Sequence, residues 1–413
     1  MSIKKIFLLF VLPLLLFSCN KATVKKTINP KDVDFVAEYD ADFNNILYPS
    51  MLLAMSSYGG NVEKPLFSVS VTAPKNNTVL RIVADSSILN YVSITQETMP
   101  KKGMRYTYEP VIKWKYENLY RLRQQGYVDI TFTCFLNDEE VDVKNIRLNY
   151  RPINECLLSL MGKNGNYRDY RWLFAAYVNE DHPMIDGMLR EILSQGMVTK
   201  FDGPGNEKKV ENQMRAIWYY ALNRGLAYSS ISCTSNGSKS SNSQYIRFFG
   251  DVYKNRQANC IDACVFFSSI MRKIGLYPII FVEPCHAFLG YYTDKTKKKI
   301  ALLETTITGW VNLPEFDEHF STENNQLDED YYNKISKYLT EKQKDDYQEG
   351  KMTLEQIKIA VSNNLFDKAA TYQAENYKNN KELYSDTTQP TYQMLVIEEL
   401  RKQISPIPAV DSF

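Results

Sequence analysis

The chain is predicted to be an α+β protein: an all-β, sandwich-like region, then a helical segment, then a mixed unit built from one central helix and several strands. Three observations carry this. Five short runs between Leu66 and Leu148 alternate apolar and polar residues with period two. Between residues 153 and 230 the apolar residues instead recur at three- and four-residue steps, as they do again from Cys260 to Gly275. Three β-rich runs follow: Tyr277 to Val282, Ala287 to Tyr292 and Lys299 to Thr305.

In chain order, residues 1–19 read as a targeting segment. Lys4 and Lys5 form a basic start, Ile6 to Leu16 an apolar core too short to span a bilayer, and Leu16-Phe17-Ser18-Cys19 the end. That ending resembles the lipobox of bacterial lipoproteins. The resemblance implies a lipid on Cys19, a membrane tether, and a place outside the cytoplasm on the periplasmic or cell-surface side. Residues 20–62 are expected to be a tether and a short N-terminal segment, polar and basic at first, with a short helix within Ile46 to Met55. The composition, 413 residues with 44% hydrophobic, 23% charged and net charge +1, suits a globular chain of two or three domains. It shows no basic excess that would point to nucleic acid.

Residues 63–150 are the expected sandwich-like domain, with polar turns such as Pro74-Lys-Asn-Asn and Asn137-Asp-Glu-Glu and an interruption from Trp114 to Gln124. No catalytic constellation falls there, so it is read as a module that binds a partner or positions substrate. Residues 151–320 hold a helical lead-in and the catalytic unit. Asp181 or His182 stands at the start of a helix with Pro183 at its first position, which makes His182 a cap or a surface contact. A second helix, Val210 to Arg224, gathers Val210, Met214, Ile217, Trp218 and Ala221 on one side and is closed by Gly225. Tyr228 to Gln244, rich in Ser, Asn and Gly, is expected to be a loop. Residues 321–413 read as a charged helical region: a solvated helix pair, then helical periodicity at Phe366 to Tyr377 and Thr391 to Gln403. His319 lies close to that charged stretch and is assigned to the surface.

The chemistry concentrates between residues 259 and 308. Asn259 is placed to cap a helix whose first turn holds Cys260. Unpaired N–H groups and the positive end of the helix dipole favour a negative sulfur at that point. The polar turn Thr293 to Lys298 joins two strands, and a hairpin symmetric about Lys295 would set His286 directly opposite Glu304. Their Cβ atoms would then be roughly 4.5–5.5 Å apart on one face. A carboxylate would fix the imidazole while the helix start presents a thiol, which is the nucleophile, base and orienter set of acyl transfer.

Asn-Cys-x-Asp opening an amphipathic helix, a His-Ala-Phe strand and a Leu-Glu-Thr-Thr strand together resemble the transglutaminase-like superfamily of papain-fold cysteine enzymes. The resemblance covers roughly residues 196–315. It implies a papain-like catalytic domain with Cys260, His286 and Glu304 as its triad, although the family more often has Asp at the third place. It further implies cleavage of peptide or isopeptide amides through an acyl-enzyme, with protein or peptide as substrate and no cofactor. Gln244, Gln257 and Asn259 can each offer an amide N–H to an oxyanion; Gln244 is preferred, beside the backbone N–H of Cys260. Two other readings stay open: transfer of the acyl group to an amine, and a catalytically idle surface-binding lipoprotein of the same fold.

With Cys19 lipidated and Cys260 free, five of the seven cysteines remain, an odd number that argues against a disulfide framework. Cys264, one turn after Cys260, is assigned to the core. No metal is expected, since Cys285 and His286, adjacent on a strand, should face opposite ways and no C-x-x-C knuckle is present.

Overall fold

Alternating residues form strands here because each run can bury one face and leave the other to solvent. The computed structural model describes residues 28–56, 65–229, 241–386 and 389–408; the targeting segment, Cys19 and Cys233 lie outside the described residues. It is a mixed α+β structure. The N-terminal half contains β1 (Val36–Tyr39), β2 (Ile46–Leu47), β3 (Phe67–Thr72), β4 (Thr78–Ala84), β5 (Ser93–Met99), β6 (Arg105–Tyr108), β7 (Gly126–Leu136) and β8 (Glu139–Tyr150). They make two sheets, ordered β1-β3-β6 and β2-β8-β7-β4-β5. Phe67, Val69 and Val71 of β3 point into a core shared with Ile82 and Phe132 of the larger sheet, and the Phe67 and Phe132 rings lie 5.4 Å apart. The β7–β8 hairpin turns through Asn137 and Asp138, both left-handed (φ 49° and 66°), a conformation their short polar side chains tolerate. Two strands, β1 and β2, come from the stretch expected to be tether and short segment, and the Pro49–Ala54 helix falls within the expected Ile46 to Met55.

The second half differs from expectation at its start. Residues 155–169 are not helical: β9 (Glu155–Met161) and β10 (Tyr167–Asp169) form a hairpin. The run Cys-Leu-Leu-Ser-Leu carries Cys156, Leu157 and Leu160 fully buried, and a strand covered on both sides has no alternation to read. The short strands β11 (Ala227–Tyr228), β12 (Ser241–Tyr245) and β13 (Gln257–Ala258) follow. β12 pairs with β9, so residues 241–244, expected to be loop, are strand; residues 230–240 lie outside the described residues. The main sheet of this half contains β14 (Pro278–Glu283), β15 (His286–Tyr292) and β16 (Ile300–Leu303). After a small pair, β17 (Phe320–Ser321) with β18 (Gln326–Leu327), the chain returns to that sheet as β19 (Gln393–Val396). The order is β16-β15-β14-β19, antiparallel throughout.

This sheet is covered on both faces, which explains its unbroken apolar strands. Ile280, Val282, Ala287 and Leu289 belong to the main core with the Cys260–Lys273 helix. Ile279, Phe281, Phe288 and Leu302 form a second cluster under the Ala374–Ser385 helix, where Tyr384 sets its edge against Phe281 at 5.1 Å. Gly290 carries no side chain because a Cβ there would meet the Phe281 ring at 2.5 Å. Trp218, on the Glu207–Asn223 helix, joins three helices: it stacks on Phe267 at 5.9 Å and meets Phe366 of the Leu354–Tyr372 helix edge-on at 6.0 Å. Aromatic pairs of this kind add about 0.5–1.5 kcal/mol beyond their burial.

The C-terminal segment therefore belongs to the same core. The expected solvated pair is present as Glu329–Ser336 and Glu341–Gln348, though Tyr331, Ile335 and Tyr347 are buried. Residues 391–403 depart from the helix expected over them: β19 fills the open edge of β14, and only Ile397–Leu400 is helical. Backbone pairing at a sheet edge outweighs a weak helical period.

Candidate active site

Cys260 is the first residue of its helix. Asn259 caps that helix through a reciprocal pair: its Oδ1 accepts from the Asp262 N–H at 2.9 Å, while its own N–H donates to Asp262 Oδ2 at 3.1 Å. Asp262 is fully buried and also takes the Arg247 N–H at 2.8 Å and the Arg247 guanidinium at 2.6 Å. The parallel pairing of β11 with β13 ends one residue before the cap and fixes the chain's entry. The first turn of the helix is thus held from three directions, and the Cys260 N–H is one of the helix-start donors left without an intrahelical acceptor.

His286 begins β15 directly after a two-residue turn, Pro284-Cys285, that joins it to β14; Glu283 and His286 are the last paired residues. Cys285 adopts a left-handed φ of 60°, a conformation that costs a residue with a side chain roughly 1 kcal/mol or more. The expectation that Cys285 would face away from His286 fails for that reason: Cys285 sits in the turn, where strand alternation does not apply, and both residues line one cleft. Among the described residues no group of three or more His, Cys, Asp or Glu is arranged to hold a metal.

Glu304 follows β16 and caps the short 3-10 turn Thr305–Gly309. The hairpin between β15 and β16 is symmetric about Thr296 rather than Lys295, since Leu289 pairs with Leu303 and Tyr292 with Ile300. Asp294 accepts from the Thr296 N–H and hydroxyl at 2.7 and 2.6 Å, and Lys297 is left-handed, which sets the turn one residue later. His286 and Glu304 are therefore diagonal neighbours, not directly opposed. A two-residue offset keeps them on one face, and His286 Nε2 lies 2.8 Å from Glu304 Oε2. The same oxygen accepts from Gln373 Nε2 at 2.7 Å, and Oε1 accepts from the Thr306 N–H and hydroxyl at 2.9 and 2.7 Å.

Cys260 and His286 line the same cleft, near enough for the thiol to act on the imidazole, so the ring stands between sulfur and carboxylate. Burial opposes a charge on His286, but the hydrogen bonds and charges of Cys260 and Glu304 outweigh it and raise the ring from 6.5 to about 10. Burial likewise pushes Glu304 upward, and the imidazole, Gln373 and Thr306 together hold it below the usual carboxylate range. The arrangement favours a charged imidazole against a negative carboxylate, with the sulfur of Cys260 on the other side of the ring. Burial, with the charge of Asp142, pushes Cys134 up to about 12, and burial pushes Cys156 and Cys264 well above their ordinary value.

A cleft of about 530 Å³ opens over Cys260 and His286, with Gln244, Tyr228, Arg171 and Glu283 in its walls. Glu304 lies behind the imidazole, buried to 1% exposure. A larger polar hollow of about 780 Å³ near Arg123, Arg151 and Tyr245 contains none of the three groups and is not where this chemistry sits. Of the oxyanion candidates, Gln244 on β12 and Asn259 line the cleft; the Asn259 oxygen is engaged as the cap, and Gln257 is exposed outside the cleft. His182 is a cap, accepting from the Met184 N–H at 3.2 Å, and His319 is held at the surface by Asp328 at 2.6 Å. Sequence reasoning did not reach Gln373, Thr306 or Glu283; Gln373 lies 69 residues beyond the acid it holds and belongs to no motif.

Comparison of the chain with protein-family models, curated proteins and solved structures finds no match.

Proposed function

We propose that the protein is a cysteine enzyme that cleaves peptide or isopeptide amide bonds through an acyl-enzyme, on a papain-like arrangement of the transglutaminase-like kind. The observation that carries this reading is the imidazole of His286 sharing a cleft with a helix-start thiol and hydrogen-bonded, at 2.8 Å, to a buried carboxylate. In the reaction Cys260 Sγ attacks the amide carbonyl, and the oxyanion that forms is received by the Cys260 N–H and the Gln244 side chain. His286 gives its proton to the departing amine, the C–N bond breaks, and a thioester remains on Cys260. Water then attacks the thioester, His286 takes its proton, and a carboxylic acid leaves as the thiolate is restored. Glu304 keeps the imidazole oriented throughout.

The N-terminal segment adds a place of action: a lipid on Cys19 would tether the enzyme to a membrane outside the cytoplasm, with the N-terminal sheets beside the substrate or a partner. No helix among the described residues is long and apolar enough to cross a membrane.

The test is iodoacetamide labelling from pH 5 to 9, read at each cysteine by mass spectrometry, with His286→Ala alongside. Fast labelling of Cys260 near neutral pH, lost in the variant, is the expected result. Labelling of Cys260 no faster than that of Cys285, the other accessible thiol of the cleft, would overturn the enzyme reading and favour an idle binding protein. Products formed with and without added amine then separate hydrolysis from acyl transfer.

A further inference from the structure

Besides the catalytic groups, two charged side chains line the cleft, and they differ in what they face. Arg171 donates from Nε to Asp169 at 2.7 Å, so its charge is matched within the wall. Glu283 has no cationic partner among the described residues. Its Oε2 accepts from Asn376 Nδ2 at 2.8 Å and from the Tyr384 hydroxyl at 3.0 Å, both neutral donors, and Oε1 accepts from none of them. A half-buried carboxylate held in this way is oriented before any ligand arrives and is not neutralised by an ion pair.

Position makes the charge consequential. Glu283 is the cross-strand partner of His286, so its Cβ stands roughly 4.5–5.5 Å from that of the base. Glu304 already sets one carboxylate against the imidazole of His286, and Glu283 adds a second beside it. The nearby wall residues Val282, Pro284 and Phe174 are apolar and do little to screen it.

We infer that Glu283 is a specificity determinant that selects substrates bearing an ammonium or guanidinium group beside the carbonyl attacked by Cys260. The inference rests on the cysteine-enzyme reading. It is tested with the purified protein and two small thiol reagents of opposite charge, ethylammonium and ethylsulfonate methanethiosulfonate. Each leaves a disulfide on Cys260 Sγ and releases methanesulfinate. Rates are followed by mass spectrometry at the Cys260 peptide in the native protein, Glu283→Gln and Glu283→Asp.

The ratio of the ammonium to the sulfonate rate should exceed the ratio for free cysteine. It should fall about five- to tenfold in Glu283→Gln, the effect of one charge acting across a partly wet cleft, and persist in Glu283→Asp, which keeps the charge. A native ratio no greater than that of free cysteine overturns the inference, and this needs no variant to fold. So does a ratio that Glu283→Gln leaves unchanged while Cys260 still reacts quickly. Slow reaction of Cys260 with both reagents and with iodoacetamide overturns the enzyme reading instead.

Discussion

Replacing Glu304 with Gln removes the charge that His286 Nε2 meets at 2.8 Å while preserving the size of the side chain. In the native protein the imidazole titrates at about 10 instead of 6.5, against the opposing effect of burial. That interval corresponds to roughly 5 kcal/mol in favour of the charged ring, at about 1.36 kcal/mol per pH unit. It is an upper figure, because the side chain is 25% exposed and solvent screens part of the attraction. Cys260 and Glu304 share it, so the variant should lose on the order of 2–3 kcal/mol and titrate about two pH units lower. The chain has three histidines, so the imidazole proton resonances can be assigned by replacing them one at a time and followed by NMR from pH 5 to 11. The native His286 should still be protonated at pH 8, and the variant should be losing its proton there.

The sign for stability follows from the same shift. A histidine raised in the folded state contributes stability that is fully present below the unfolded value of 6.5 and is lost as pH rises through about 10. The native urea midpoint should therefore fall more steeply between pH 7 and 10 than that of Glu304→Gln. A native His286 that titrates near 6.5, or one that Glu304→Gln does not move, would refute the ion-pair argument.

Gln373→Leu removes the 2.7 Å hydrogen bond to the same carboxylate. Hydrogen bonds to charged groups are worth about 1.5–3 kcal/mol, so turnover on an amide substrate should fall roughly ten- to hundredfold with KM little changed; the His286 NMR titration should shift with it, which a purely structural effect would not produce. Asp262→Asn breaks the ion pair between the fully buried Asp262 and the partly exposed Arg247, and half of the helix cap. Urea denaturation should show a loss of about 1–3 kcal/mol. A chain cut after residue 320 lacks β19, the helix that covers the second apolar cluster, and Gln373. Its amide NMR spectrum should show poor dispersion where the whole chain shows a folded protein.

What could be read from the sequence was local. The capped helix start at Cys260, the His182 cap with Pro183 at the first helical position, and the alternating strands from Phe67 to Leu148 each announce themselves within a few residues. What could not be read was set by distant partners. β9 is buried on both sides and shows no period, so its apolar run passed for helix. β19 is a strand only because the edge of β14 is open to it, and its own residues fit a helix equally well. Cys285 joined the cleft through a turn whose left-handed residue is not glycine, against the usual turn signal. The support of Glu304 by Gln373 spans 69 residues and leaves no trace in spacing.

The register of the β15–β16 hairpin also accounts for a glutamate at position 304. Directly opposed residues in an antiparallel pair have Cβ atoms roughly 4.5–5.5 Å apart, and diagonal neighbours about 7–8 Å. With the turn centred on Thr296, His286 and Glu304 are diagonal, and the acid lies one residue past the end of its strand. The extra methylene of Glu lengthens the reach by more than 1 Å relative to Asp, on the order of one C–C bond, and so recovers much of what the offset takes away. A longer side chain has more rotamers to lose, which would loosen the imidazole if nothing else held it. Thr306 and Gln373 supply that restraint, the first by donating its N–H and hydroxyl to Oε1 and the second by donating to the oxygen that faces the ring. The longer acid, the shifted turn and the contribution from the C-terminal segment are thus parts of one solution. Each makes sense only with the other two, and this is why Gln373 of the C-terminal segment is required at a site whose Cys260 and His286 lie more than 80 residues earlier.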